Sequence, residues 1–255
     1  MDIAEHLTKI FDVYARNWLS LIVGLIAAFI IPVILAVVAI GALALGIAGG
    51  MDFNTLMSMK FLSDTYSIIA LIFLIATVIT GVVFFTGYYR YCGDLYQGRK
   101  TSISAIFQTA KEKWLTALVA TIIVAIIIGI IAKILGALGL SSVGMLSTIN
   151  MTDVSPLATL SALSIVSWLI NFIVGLFFAF VLPSIAVEDR GIVDSIQRSV
   201  NLTASKFVKV FLTFLVLQIL LVILILIPII GIFLLVPFVY VPLSALLPIS
   251  ILKEK

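Results

Sequence analysis

The side chains able to do chemistry are few and scattered. There is one histidine, His6, and one cysteine, Cys92. A metal site built on His and Cys needs three or four such ligands, and a disulfide needs two cysteines. A Ser–His or Cys–His nucleophile would have to use His6, which sits near the start of the chain with no orienting motif beside it. No GxGxxG and no Walker loop is present to cradle phosphate. The residues predict no catalytic group, no metal and no cofactor. Fifteen basic against twelve acidic residues, dispersed along the chain, make a weak case for nucleic acid.

Two polar sets remain. The first is Glu188, Asp189, Arg190 and Arg198, in a stretch that also holds Pro183, Gly191 and Asp194. Pro183 ends or kinks a helix, Gly191 permits a sharp turn, and Asp194 is placed to cap the helix that follows. Arg198 then lies one turn on, in reach of Glu188, Asp189 or a lipid phosphate. The set is either a capped surface turn or a contact for a lipid headgroup or a protein partner. The second set is Ser164, Ser167, Asn171, Gln218 and Thr80, all inside apolar runs. Small and hydroxyl residues at such spacings predict close helix packing with interhelical hydrogen bonds. A polar pathway would need more groups, preferably charged.

The elements that must position these residues are read from composition. Of 255 residues, 63% are apolar and 11% charged, with a mean hydropathy of +1.34. A soluble domain is about a quarter charged, so the chain reads as a polytopic membrane protein whose helices satisfy their own backbone. Charge-free runs cover Asn17–Met51, Thr65–Tyr89, Val154–Val187 and Val210–Leu252, and Lys133 alone interrupts Trp114–Thr152. A span needs ~20 apolar residues. The last run, 43 residues or ~64 Å as one helix, fits two, with the break near Pro228 and Gly231. Six helices result, roughly 18–46, 66–90, 114–138, 160–186, 208–229 and 231–251. Pro237, Pro242 and Pro248 make the last one irregular. Lys133 is expected to snorkel at the outer interface or to pair with Asp153.

Thirteen of the fifteen basic residues fall in the N-terminal segment, the 2–3 and 4–5 connections and the C-terminus. Six spans put all four on one face, so both termini are expected to be cytoplasmic in a multi-pass protein of the cell membrane. Three segments, around Ile3–Tyr14, Ile103–Trp114 and Val193–Phe207, carry apolar residues at the spacing of one helical face. Trp18-Leu19 matches Trp114-Leu115 at an offset of 96, and Ala15 and Trp18 match Ala204 and Phe207 at 189. The expected unit is a cytoplasmic interfacial amphipathic helix followed by a transmembrane hairpin. It repeats three times within a single membrane domain of 1–255, at about 1–92, 93–188 and 189–255.

The stretch from Phe180 to Thr203 holds Pro183, Glu188, Gly191, Ile196, Arg198 and Ser199, and Gly93-Asp-Leu-Tyr-Gln-Gly98-Arg-Lys-Thr-Ser precedes the second amphipathic segment. These motifs resemble a six-helix integral membrane family of unknown function. It is related to the membrane domain of glycerophosphoryl diester phosphodiesterases and to the YciC-like proteins. The resemblance implies architecture and no catalysis, because the phosphodiesterase chemistry belongs to a separate soluble domain.

The expected fold class is therefore all-α. The expected role is non-enzymatic, organising membrane lipids or a protein partner, the latter including a second copy of the chain. The rival reading is a small transporter or channel with a cleft between the helical repeats.

Overall fold

A computed structural model describes residues 3–48, 65–137, 155–227 and 231–254. Among these, regular structure is entirely helical. The helices are α1 (Ile3–Ala48), α2 (Thr65–Tyr96), α3 (Ser104–Ala137), α4 (Ser155–Phe178), α5 (Val181–Val187), α6 (Ile192–Ser205) and α7 (Phe207–Ile225). A π-helical segment, Gly231–Tyr240, then leads into α8 (Val241–Leu252). Six stretches are long and apolar enough to cross a membrane: Ala4–Ala48, Thr65–Tyr96, Ser104–Ile134, Trp168–Val187, Phe207–Ile225 and Leu234–Leu252. Pro228, Lys60, Asp153 and the expected outer loop between the third and fourth spans lie outside the described residues, as do the side chains of Ser164 and Ser167.

Of the three segments expected as separate amphipathic helices, only the third, α6, is set off from its span. The first two are the opening turns of α1 and α3. Neither Gly nor Pro separates Tyr14 from Trp18 or Ala110 from Trp114, so nothing interrupts the hydrogen-bond ladder there. α1 has 46 residues, or ~69 Å of helix, so a good part of it extends beyond a ~30 Å hydrocarbon core.

The fourth span is broken near its end, where α4 stops at Phe178 and α5 starts at Val181. Pro183 explains the place: its ring crowds the carbonyl four residues back, at Ala179, and it has no N–H to offer. In the last span, Pro237 sits inside the π-helical segment, and Pro242 deprives the Phe238 carbonyl of its α-helical donor. Tyr14 on α1 supplies the missing bond, donating from Oη to Phe238 O at 3.1 Å.

α1 packs along α2, α2 along α3, and α8 returns to pack against both α1 and α2. All but two residues of α8 are buried. Together with Tyr88, Phe180, Ile106 and Leu21 it forms a dense core. Two contacts of near-zero clearance fix the helix pairs. A Cβ on Gly87 would lie 2.2 Å from Ile106 O, and one on Gly24 would lie 2.7 Å from Tyr91 Cε1. Tyr88 and Tyr91 donate from α2 to the α1 carbonyls of Leu21 and Ser20 at 3.1 and 3.2 Å.

Candidate functional site: a charged cavity at the basic end

The first turn of α1 and the end of α8 meet at one end of the bundle. His6 Nε2 lies 2.8 Å from Ser250 Oγ, and Glu254 pairs with both Lys206 and Lys209. The 97–103 connection and the 188–191 turn lie at this same end. α2 closes there with Gly98 in the left-handed region, φ 69°, its N–H donating to Leu95 O at 3.0 Å and that of Arg99 to Asp94 O at 2.9 Å. That double bond is the C-terminal cap glycine favours.

The 188–191 turn is built by α6. Ser199, fully buried, donates to Phe177 O at 2.6 Å and accepts from the Phe180 N–H at 3.1 Å. Thr203 donates to Leu176 O at 3.0 Å. These two hydroxyls thus satisfy backbone groups that the break after α4 sets free. Gly191 is the N-cap of α6 at φ −70°. The left-handed position in the turn is not Gly191 but Asp189, at φ 56°, a conformation unusual for any residue with a Cβ. Asp194 stands in the first turn of α6, and the N-cap, being Gly191, has no side chain to cap with.

Charge pairing accounts for the unusual backbone. Asp189 Oδ1 lies 2.9 Å from Lys113 Nζ on α3, and its Oδ2 lies 3.8 Å from Arg90 Nη1 on α2. Arg90 also donates to Ala186 O at 3.3 Å and lies 3.8 Å from Asp94. Glu188 receives Arg190 Nε at 2.5 Å and Arg198 Nη2 at 3.5 Å. Arg198 Nε is buried with no hydrogen-bond partner. The four residues singled out from sequence thus come together. Arg90 and Lys113, which the sequence marked only as basic loop residues, join them. Between α2, α3 and the turn lies a cavity of about 210 Å³, walled by Arg90, Asp94, Gln108, Glu112, Lys113 and Asp189 among others.

The intramembrane polar set is not assembled in the same way. Thr80 donates to Ala76 O on its own helix, and so do Thr77 to Phe73 O and Thr86 to Val82 O, all within 2.7–2.8 Å. A threonine in a helix can spend its hydroxyl on the preceding turn, so Thr80 donates within α2 and not to a neighbouring helix. Gln218 lies 3.5 Å from Tyr240 Oη and borders an open hollow otherwise lined by apolar residues. Asn171 is exposed on α4.

A second cluster escaped sequence reasoning. His6 and Ser250 are each 1% exposed and 244 positions apart. Ser250 Oγ also lies 2.6 Å from Leu247 O, so its hydroxyl bonds both to its own helix and to His6, and the pair joins the start of α1 to α8. His6 Nδ1 is left without a partner. Next to it, burial alone would raise the Glu254 carboxyl, but hydrogen bonds and charge from Lys209 and Lys206 hold it at about 2. Among the described residues, no three His, Cys, Asp or Glu side chains converge as a metal site would require.

Residues 94–252 match a family described as a domain of unknown function, DUF7847. That match carries no link to the phosphodiesterase membrane domains or to the YciC-like proteins. Neither a curated protein nor a solved structure matches the chain.

Proposed function

The chain belongs to the DUF7847 family, and from that premise and the geometry of the basic end we propose that it is a non-enzymatic protein of the cell membrane that organises lipids at its cytoplasmic face. The observation that carries this reading is the charged cavity. It is a polar, partly open site in a chain that is otherwise apolar, and it lies where the spans begin. Trp114 follows Lys113 directly and is 50% exposed, and tryptophan prefers the membrane–water boundary. The cavity therefore sits at headgroup depth.

In this reading both termini are cytoplasmic, because the basic segments share the end where the termini meet. The reading also takes the chain as three repeats of an amphipathic segment and a hairpin. Burial supports it. Ile10, Ile106 and Ser199 are buried at offsets of 96 and 93, and so are Leu21, Ala117 and Val210. The contact of Gly87 with Ile106 recurs 93 positions on as Phe180 with Ser199. Trp18, Trp114 and Phe207 fall at the same offsets. The amphipathic segments then present the polar end to headgroups while their apolar faces pack inward.

The test is retention of lipid by the intact protein. Purified from membranes in mild detergent, it should carry phospholipid by native mass spectrometry, and Lys113→Ala should lower the occupancy. A protein that emerges lipid-free and conducts a small polar solute in liposomes would support the transporter reading instead. Asn54→Cys and Thr148→Cys test orientation: both should be labelled from outside the cell, with buried Cys92 giving little background.

A further inference from the structure

We infer that the cavity between α2, α3 and the 188–191 turn takes a head group carrying both a phosphate and a primary ammonium, the chemistry of phosphatidylethanolamine. This inference rests on the reading that the basic end binds lipid, and it names which lipid.

The charges in the cavity are of both signs. Arg90 and Lys113 are cationic, and Asp94, Glu112 and Asp189 are carboxylates. A simple anion entering it meets three like charges, and a simple cation meets two. A dipolar head group can meet a partner at each end. Lys113 is held by Asp189, but Arg90 is not used up. Arg90 lies 3.8 Å from both Asp94 and Asp189, beyond hydrogen-bond distance, and has only one N–H committed, to Ala186 O. The planar guanidinium offers five N–H groups and matches phosphate oxygens in pairs. At the other end, Glu112 is exposed and accepts from Gln108 Nε2 at 3.0 Å. Among the described residues, no Lys or Arg is within ion-pair distance of Glu112. Its carboxylate can receive the N–H groups of an ammonium.

The same lining selects among zwitterions. A quaternary ammonium has no N–H to give and is recognised by the faces of aromatic rings. No aromatic ring lines this cavity, which favours the primary amine over choline. The volume of about 210 Å³ is roughly that of seven waters, in keeping with a single phosphoethanolamine group. The cavity's helix wall continues into Trp114 at the interface, so the acyl chains of a lipid held here would lie along α3.

The experiment uses the full-length protein in mixed vesicles containing equal amounts of phosphatidylethanolamine, phosphatidylcholine and phosphatidylglycerol, followed by gentle extraction and native mass spectrometry. The expected result is phosphatidylethanolamine retained over each of the others by roughly fivefold, the size of a partly exposed ion pair. Glu112→Gln, which touches none of the pairs that hold the turn, should bring the ratio near one without changing the melting temperature. Free phosphoethanolamine separates the two sources of this chemistry. Weak competition identifies the lipid, whereas displacement as effective as that by the lipid itself identifies the soluble compound as a ligand of the same site. Equal retention of all three lipids by the wild type overturns the inference and leaves the lipid-binding reading standing, as does a preference that survives Glu112→Gln. Failure to retain any lipid overturns both.

Discussion

Lys113 Nζ and Asp189 Oδ1 meet at 2.9 Å, and Asp189 holds a left-handed backbone, φ 56°, to make that contact. The pair ties the start of the third span to the turn that follows the fourth. With Arg90 on α2 as a second partner, one carboxylate links three separate parts of the chain, and the cavity exists because this link holds its walls in place.

Asp189 therefore has two jobs that substitution can separate. Asp189→Asn keeps a side chain that tolerates the left-handed region but loses the charge. Asp189→Ala loses both, and an ordinary residue there carries a backbone cost of about 1–2 kcal/mol. Asp189→Gly removes the backbone cost and the charge together. Unfolding in detergent should rank alanine as the least stable of the three. Alanine matching asparagine and glycine would mean that the turn does not hold its conformation in solution.

Gly87 and Gly81 lie six positions apart on α2 in opposite surroundings. A Cβ on Gly87 meets the Ile106 carbonyl at 2.2 Å, a backbone atom that cannot swing aside, whereas one on Gly81 meets nothing within 4 Å. Gly87→Ala should destabilise by about 1–3 kcal/mol through overpacking. Gly81→Ala should be neutral or slightly stabilising, since alanine is the better helix former. Equal melting temperatures for the two variants would show that α2 and α3 are not in this close contact.

The pairing of Glu254 with Lys206 and Lys209 gives a pH dependence of known sign. Its carboxyl in the folded protein titrates at about 2, below the ordinary 4.5. The stability it contributes is whole above about pH 4.5 and falls as pH drops toward 2, by at most about 3 kcal/mol. Comparing wild type with Glu254→Gln isolates this group from other carboxylates. The stability advantage of wild type should shrink between pH 5 and pH 2.5. A difference that stays constant over that range would mean that Lys206 and Lys209 do not hold the carboxylate.

The six spans were legible because charge-free runs longer than ~20 residues leave few alternatives. Their single basic end was legible because lysine and arginine cluster in alternate connections. The break in the fourth span was readable as Pro183, although the helix yields four residues upstream, where the ring crowds Ala179. Ser199 stood out as part of a motif, but nothing local shows that it holds the Phe177 carbonyl of α4 and the Phe180 N–H. Arg90 and Lys113 carry no local mark either. Their partner Asp189 lies 99 and 76 positions away in the chain, and only the packing of α2, α3 and the turn joins them. His6 and Ser250 are separated still further. Thr80 differs from the expectation for another reason: spacing reports which face a hydroxyl occupies, but not whether its own helix has already taken the hydrogen bond.

The central claim is that the protein acts through lipid held at its basic end rather than through a polar path across the membrane. Arg198 pairs with Glu188 beside the cavity, and Asn171 lies on the fourth span, away from it. The measurement is bound phospholipid per protein, by native mass spectrometry, for Arg198→Ala and Asn171→Leu alongside solute flux in liposomes. Arg198→Ala should lose much of the bound lipid, while Asn171→Leu retains it and folds as wild type, since an intramembrane hydrogen bond contributes only ~0.6 kcal/mol on average. Solute flux that survives Arg198→Ala and disappears with Asn171→Leu would contradict the account and establish a transporter.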